Sequence, residues 1–206
     1  MNQTVLRLVP EESARILDVG CGGGELGVAL KERNPDVHVT GITWSAEEAK
    51  LAERRLDNVV VRNLDTDEIG PVGPVDCVIC SHVLEHLRDP RSILLELGRI
   101  LRADGSLVVA LPNVLHWRQR LAFLKGEFRY TSGGLMDDTH VVFFDWETAR
   151  AMVEESGFRI LRAVPDGAFP GSRFFGKAGQ IIDRIGLKSA PGLFGWQFVF
   201  LARPEI

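Results

Sequence analysis

The chain has 206 residues, enough for one domain and enough to bury roughly 70% of its unfolded surface without a disulfide or metal staple. Hydrophobic residues make up 45% and charged residues 25%, which excludes disordered, collagenous and low-complexity classes. The net charge of -4 disfavours a surface built to grip nucleic-acid phosphates, although the stretch 159–206 carries seven Lys and Arg against three Asp and Glu.

In chain order, short apolar runs alternate with helical patterns, the signature of βαβ units and a parallel sheet. The run RILDV over 15–19 reads as the first strand, followed by a helix over 26–33 and a second strand over 37–42. Ser45 opens the next helix, with Glu48 three residues on as a capping box. Strands three and four fall at 58–62 and 75–80. Asp89-Pro90 starts a helix that ends near Gly105, and strand five runs over 106–111. Residues 112–140 are aromatic and basic with no clean period. Asp145 caps a helix that stops at Gly157, strand six covers 159–164, and strand seven covers 194–202, with one short helix between them and antiparallel pairing at the end of the sheet.

Three cysteines at no framework spacing suggest a reducing compartment. Cys77 and Cys80 lie three apart on one strand and so face opposite sides of the sheet, which argues against a redox or zinc pair. The N-terminus lacks a signal-peptide core, and 192–202 is too short to span a bilayer; a cytoplasmic protein is expected.

The first strand runs into Asp18-Val-Gly20-Cys21-Gly22-Gly23-Gly24, where glycines permit a sharp turn and let a ligand lie on bare backbone. Gly22 to Gly27 spells G-x-G-x-x-G by letter. The acid two residues before the first glycine and the lack of an acid after strand two disfavour a dinucleotide.

The stretch ILDVGCGGGELG, with VDCVICSHVLEHLRDP and LGRILRADGSLVVALPN, resembles the class I S-adenosylmethionine-dependent methyltransferases over about residues 13–160. The resemblance implies a Rossmann-like α/β fold, a doubly wound seven-stranded sheet that is mostly parallel with an antiparallel last strand. It implies one methyltransferase domain over 1–206, with a lid insertion at about 112–140 and a helical insertion at about 167–192. The cofactor implied is S-adenosyl-L-methionine, held by Asp18, Gly20, Cys21, Gly22 and Gly24, by Thr43 and Trp44 after strand two, by Leu64 and Asp65, and by the backbone near Ser81. Thr43 stands where most members carry the acid that holds the ribose, and its hydroxyl offers a weaker, neutral hydrogen bond.

His82-Val-Leu-Glu85-His86 spells an inverted zinc-peptidase motif. It begins at a strand end rather than along a helix, and no metal is expected there. Residues 111–121 and the Thr139-His140 step resemble the MetW-like group, which makes His140, His116 and His86 the candidate acid–base residues, with Asn113 facing the donor or acceptor. The function implied is methyl transfer to an oxygen or nitrogen of a small anionic or hydrophobic molecule, such as a sugar, a lipid-linked glycan or a secondary metabolite. The alternative is a MetW-like cofactor-binding partner of methionine biosynthesis. A stripe of Phe174, Ala178, Ile181, Ile182 and Ile185 reads as core or subunit contact, with a membrane-surface contact less favoured; the sequence sets no oligomeric state and shows no nucleic-acid module.

Overall fold

The computed structural model describes residues 1–205 and forms one seven-stranded sheet in the order β3-β2-β1-β4-β5-β7-β6. The strands are β1 (Arg15–Val19), β2 (His38–Thr43), β3 (Asn58–Val61), β4 (Val75–Ser81), β5 (Leu101–Pro112), β6 (Phe158–Gly167) and β7 (Gly195–Pro204). Strands β1 to β5 pair in parallel, and β7 inserts antiparallel between β5 and β6, as expected for the last strand. The helices are α1 (Gln3–Leu8), α2 (Glu25–Arg33), α3 (Ala46–Ala52), α4 (Pro90–Ile100), α5 (Trp117–Leu124), α6 (Trp146–Glu155), α7 (Gly176–Ser189) and α8 (Pro191–Phe194).

The central strands are apolar at nearly every position because both faces are covered. Leu17, Val19, Val78, Cys80, Leu107 and Val109 join one core with Leu94 and Leu97 of α4 and Val153 of α6. Ile16, Cys77, Ile79 and Val108 join the other, with Val5 and Leu8 of α1 and Leu26 and Leu30 of α2. Cys77 and Cys80 therefore lie on opposite faces, and all three cysteines are buried free thiols. Truncating a side chain such as Leu97 to Ala would cost about 2–5 kcal/mol.

Helix starts follow their caps. Asp89 accepts the amide of Ser92 at 3.0 Å, and Asp145 with Thr148 completes a capping box. The expected box at Ser45 is only half formed. Ser45 accepts the amide of Glu48 at 3.2 Å, but the Glu48 carboxylate turns back to Thr43.

Elsewhere the outcome differs from expectation. The N-terminus forms α1, capped by Asn2. Helix α5 interrupts the stretch without a period because it buries no residue and so needs none. The segment between β6 and β7 holds a 3-10 turn, α7 and α8 rather than one short helix. Helix α7 turns its glycines inward: a Cβ on Gly179 would collide with the Ser172 carbonyl, and one on Gly186 would press on Phe169. The predicted apolar stripe consequently faces outward, with Phe174, Ile181 and Ile185 each more than half exposed.

Candidate active site

Open parallel sheets place ligands beyond the carboxyl ends of their strands, where the strand order reverses. Here that point lies between β1 and β4. A cavity of about 490 Å³ sits there, bordered by Gly20 and Gly22 after β1, Thr43 and Trp44 after β2, Leu64 and Asp65 after β3, and His82 and His86 after β4.

The loop after β1 is pinned by the amides of Gly20 and Cys21, which both donate to the Ile42 carbonyl, at 2.8 and 2.9 Å. Gly20 has φ +76°, and a Cβ there would lie 2.9 Å from the Val83 side chain. Gly22 has φ +53° with no atom near where a Cβ would be, so its backbone is bare. Asp18 is buried at 2% exposure and its Oδ2 has no hydrogen-bond partner. Burial, with the nearby Glu25 charge, pushes its carboxyl up to about 7.

Thr43 donates its hydroxyl to Glu48 Oε2 at 2.8 Å and accepts the Ser45 amide at 3.2 Å. A carboxylate thus reaches the end of β2 from the first turn of α3. Glu48 lines the cavity, although by spacing alone it reads only as a cap. Its signal was there in the distance of five residues from Thr43, which becomes a contact only once the helix folds back over the strand end. Asp65 accepts the Arg88 amide at 2.9 Å and faces the same cavity, and Trp44 flanks it at 79% exposure.

The remaining cofactor candidates stand behind this wall. Cys21 points toward Gly41 in the core, where burial and the Asp18 carboxylate push its thiol up to about 12. Gly24 caps α2 with φ +86° and packs against Ala52 and Leu56. Ser81 closes β4 in register with Ala110.

His82, at φ +55°, is the one non-glycine residue in the left-handed region among the described residues. Its ring bridges Glu85 Oε1 at 3.1 Å and Gln197 Oε1 at 2.7 Å. Burial works against its charged form, but these two partners raise its pKa overall. The Gln197 amide in turn donates to Asp166.

A second chamber of about 280 Å³ adjoins the first and shares His82 and His86 with it; Glu85, Asp137, His140 and Trp196 are among its other lining residues. His86 and His140 stack edge to face with centroids 4.8 Å apart. Burial lowers the pKa of His140, against the pull of Glu85. Two candidates from the sequence, His86 and His140, therefore meet here.

The other two do not. His116 is buried in a third cavity of about 320 Å³, beside Trp117, Arg118, Phe169, Arg173 and Trp196, and burial lowers its pKa to about 4. Asn113 is fully buried and donates to the Gly192 and Gly195 carbonyls, at 3.0 and 2.7 Å, so it ties the end of β5 to the start of β7 and does not face a ligand. Arg118 and Arg173 make no ion pair among the described residues; each lies over an aromatic ring, Trp117 and Phe174.

The model of a family described as "Methyltransferase domain" matches residues 1–163. A trans-aconitate 2-methyltransferase of Azoarcus sp. is 35% identical over 110 residues, covering 53% of this chain and 44% of the relative. A ubiquinone biosynthesis O-methyltransferase of Paracidovorax citrulli is 30% identical over 140 residues, covering 65% of this chain and 57% of the relative. The chain spans about half the length of these curated relatives. Among solved structures, a SAM-dependent methyltransferase from Archaeoglobus fulgidus superposes with a TM-score of 0.66 at 20% identity, covering 94% of this chain and 87% of that one. An O-methyltransferase of a Brevibacillus brevis multienzyme, in complex with S-adenosyl-L-homocysteine, gives 0.61 at 16% identity, covering 98% and 71%.

Proposed function

The chain belongs to the methyltransferase-domain family, and from that premise we propose that it transfers the methyl group of S-adenosyl-L-methionine to an oxygen or nitrogen of a small acidic acceptor with an apolar body. The observation that carries this reading is the cavity at the switch point, with its bare glycine backbone, the Glu48 and Asp65 carboxylates in its wall and the buried Asp18 at the end of β1 beneath the glycine loop.

The residues fit that cofactor. Asp18 holds a buried oxygen without a donor, which an ammonium group satisfies. The Thr43–Glu48 pair supplies the hydroxyl-binding acid that β2 itself lacks. Asp65 is an acceptor suited to an exocyclic amine. When bound, the cofactor supplies a methyl group already activated by its sulfonium. The protein's own task is therefore alignment and exclusion of water. His82 and His86 form the wall common to both chambers, so an acceptor in the second chamber meets the donor across them. His86 and His140 face that acceptor with imidazole nitrogens able to take its proton. Trp196 borders both the second chamber and the aromatic cavity, where Arg118 and Arg173 support an acidic acceptor and Trp117, Phe169 and Phe174 its apolar body. Oxygen as the methylated atom is supported by the O-methyltransferase among the relatives.

Calorimetric titration with S-adenosylhomocysteine tests the reading, with NAD as control. Micromolar binding of the first alone is expected. A folded protein that binds neither overturns the proposal. Transfer of label from the methyl donor to a panel of carboxylic-acid acceptors, set against neutral analogues, then tests the acceptor class.

A further inference from the structure

We propose that Glu85, His86 and His140 form a site for one divalent first-row transition-metal ion, set between the two chambers. One ligand atom from each lies within 4.8 Å of the others. The Glu85 side chain is fully buried and that of His140 is 6% exposed, yet Glu85 Oε2 and His140 Nδ1 have no hydrogen-bond partner. The two groups approach through Glu85 Oε1 and His140 Nε2, 4.0 Å apart, and a buried carboxylate oxygen and a buried imidazole nitrogen left without partners in one such cluster are the pattern a cation resolves.

The supporting contacts have the same form. His86 Nδ1 lies 3.2 Å from the Thr139 carbonyl and 3.0 Å from its hydroxyl, and that hydroxyl donates to Asp137. Nδ1 of His86 is therefore the protonated nitrogen, and Nε2 keeps its lone pair. Metal-binding histidines are commonly oriented by such an outer hydrogen bond. Glu85 Oε1 is held by His82, which fixes the carboxylate and leaves Oε2 free. One carboxylate and two imidazoles suit zinc, cobalt, iron or manganese better than calcium or magnesium. Three protein ligands beside a chamber of about 280 Å³ leave coordination positions for an acceptor.

The letters His82-Val-Leu-Glu85-His86 thus encode two ligands and their support, while the third ligand comes from the stretch after α5. The ion would polarise the acceptor in place of the two imidazoles. That role rests on the methyl-transfer reading, whereas the binding itself does not.

The test is Co²⁺ titration of the tag-free, chelator-stripped protein, followed by visible absorption. The wild type should take up one Co²⁺ per chain with a ligand-field band that Zn²⁺ abolishes. Glu85→Gln and His140→Asn should each lose the band while keeping the far-ultraviolet circular dichroism of the wild type. Thr139→Val, which removes the outer hydroxyl, should weaken binding by about 10- to 100-fold. His38→Asn, at the amino end of β2 and away from the strand ends that carry the site, should bind as the wild type does. No band in the wild type overturns the proposal, as does a band that survives in folded Glu85→Gln or His140→Asn, or one lost in His38→Asn. S-adenosylhomocysteine binding, measured on the same samples, reports separately on the methyl-transfer reading.

Discussion

The two chambers that meet at His82 and His86 are built in different ways. The larger one is lined mostly by strand ends and by the loops that directly follow them, with the bare backbone of Gly20 and Gly22 and the polar groups of Thr43, Glu48 and Asp65 in its wall. The smaller one is assembled from side chains far apart in the chain, His86 after β4, His140 after α5 and Trp196 on β7. Local geometry secures the first, and tertiary packing secures the second. Substitutions should therefore act on ligand binding in the first chamber through backbone and charge. In the aromatic cavity that meets the second chamber at Trp196 they should act through acceptor affinity and acid stability.

The largest effect is expected at Asp18. Its folded pKa of about 7 lies above the ordinary carboxylate value of 3.8, so the folded state holds the proton more tightly and stability falls as pH rises through that window. Asp18→Asn should therefore stabilise the ligand-free protein at pH 8 by up to about 4 kcal/mol in chemical denaturation, while weakening S-adenosylhomocysteine. A variant that is less stable than the wild type at pH 8 would break the assignment of an unpaired buried charge.

Gly20→Val combines a left-handed backbone with a clash against Val83. A cost of about 3 kcal/mol, or roughly 100-fold in calorimetric affinity, is expected.

His116 belongs to neither chamber but lines the aromatic cavity, and its largest effect is expected on stability. Its folded pKa of about 4 lies below the ordinary imidazole value of 6.5, so its contribution is complete above pH 6.5 and is lost as pH falls toward 4. His116→Phe should remove about 3 kcal/mol of that acid-dependent loss in denaturant titrations and leave S-adenosylhomocysteine binding unchanged.

The pair at the end of β2 sharpens the contrast further. Glu48→Ala should weaken S-adenosylhomocysteine by about 2 kcal/mol, and Thr43→Val by about 1 kcal/mol, because the carboxylate makes the charge-assisted bonds. Equal losses would mean that the hydroxyl is the group in contact.

The smallest effect is expected in the aromatic cavity. Arg118→Ala should raise KM for an acidic acceptor about five-fold with little change in kcat, since an exposed guanidinium contributes binding rather than chemistry.

Much of the first chamber was legible in the sequence. The strand–glycine loop–helix unit, the acid before it and Asp65 are local features, and their spacing along the chain is nearly their spacing in space. Glu48 was visible only as a cap, because its turn toward Thr43 depends on how α3 docks over β2. The second chamber was legible in part. His86 and His140 were singled out separately, but their meeting depends on the backbone carbonyl of Glu85, which accepts the amides of Val141 and Val142 and brings the later stretch against the turn after β4. Asn113 looked like a ligand-facing residue by letter, and packing turned it to structural work, while His116 lies apart from His86 and His140 in the wall of the aromatic cavity.

The sequence by itself determined the alternation of strands and helices, the caps at Asp89 and Asp145, the two-faced burial of the central strands and the glycine loop. Each of these follows from periodicity, backbone freedom or a hydrogen bond a few residues long. Only the tertiary structure decided that α7 faces inward with its glycines, that a carboxylate from α3 completes the end of β2, and that Glu85, His86 and His140 converge. Those outcomes depend on which surfaces approach closely enough to exclude a side chain or to share a buried charge, and such distances are set by the packed sheet and not by the order of residues along it.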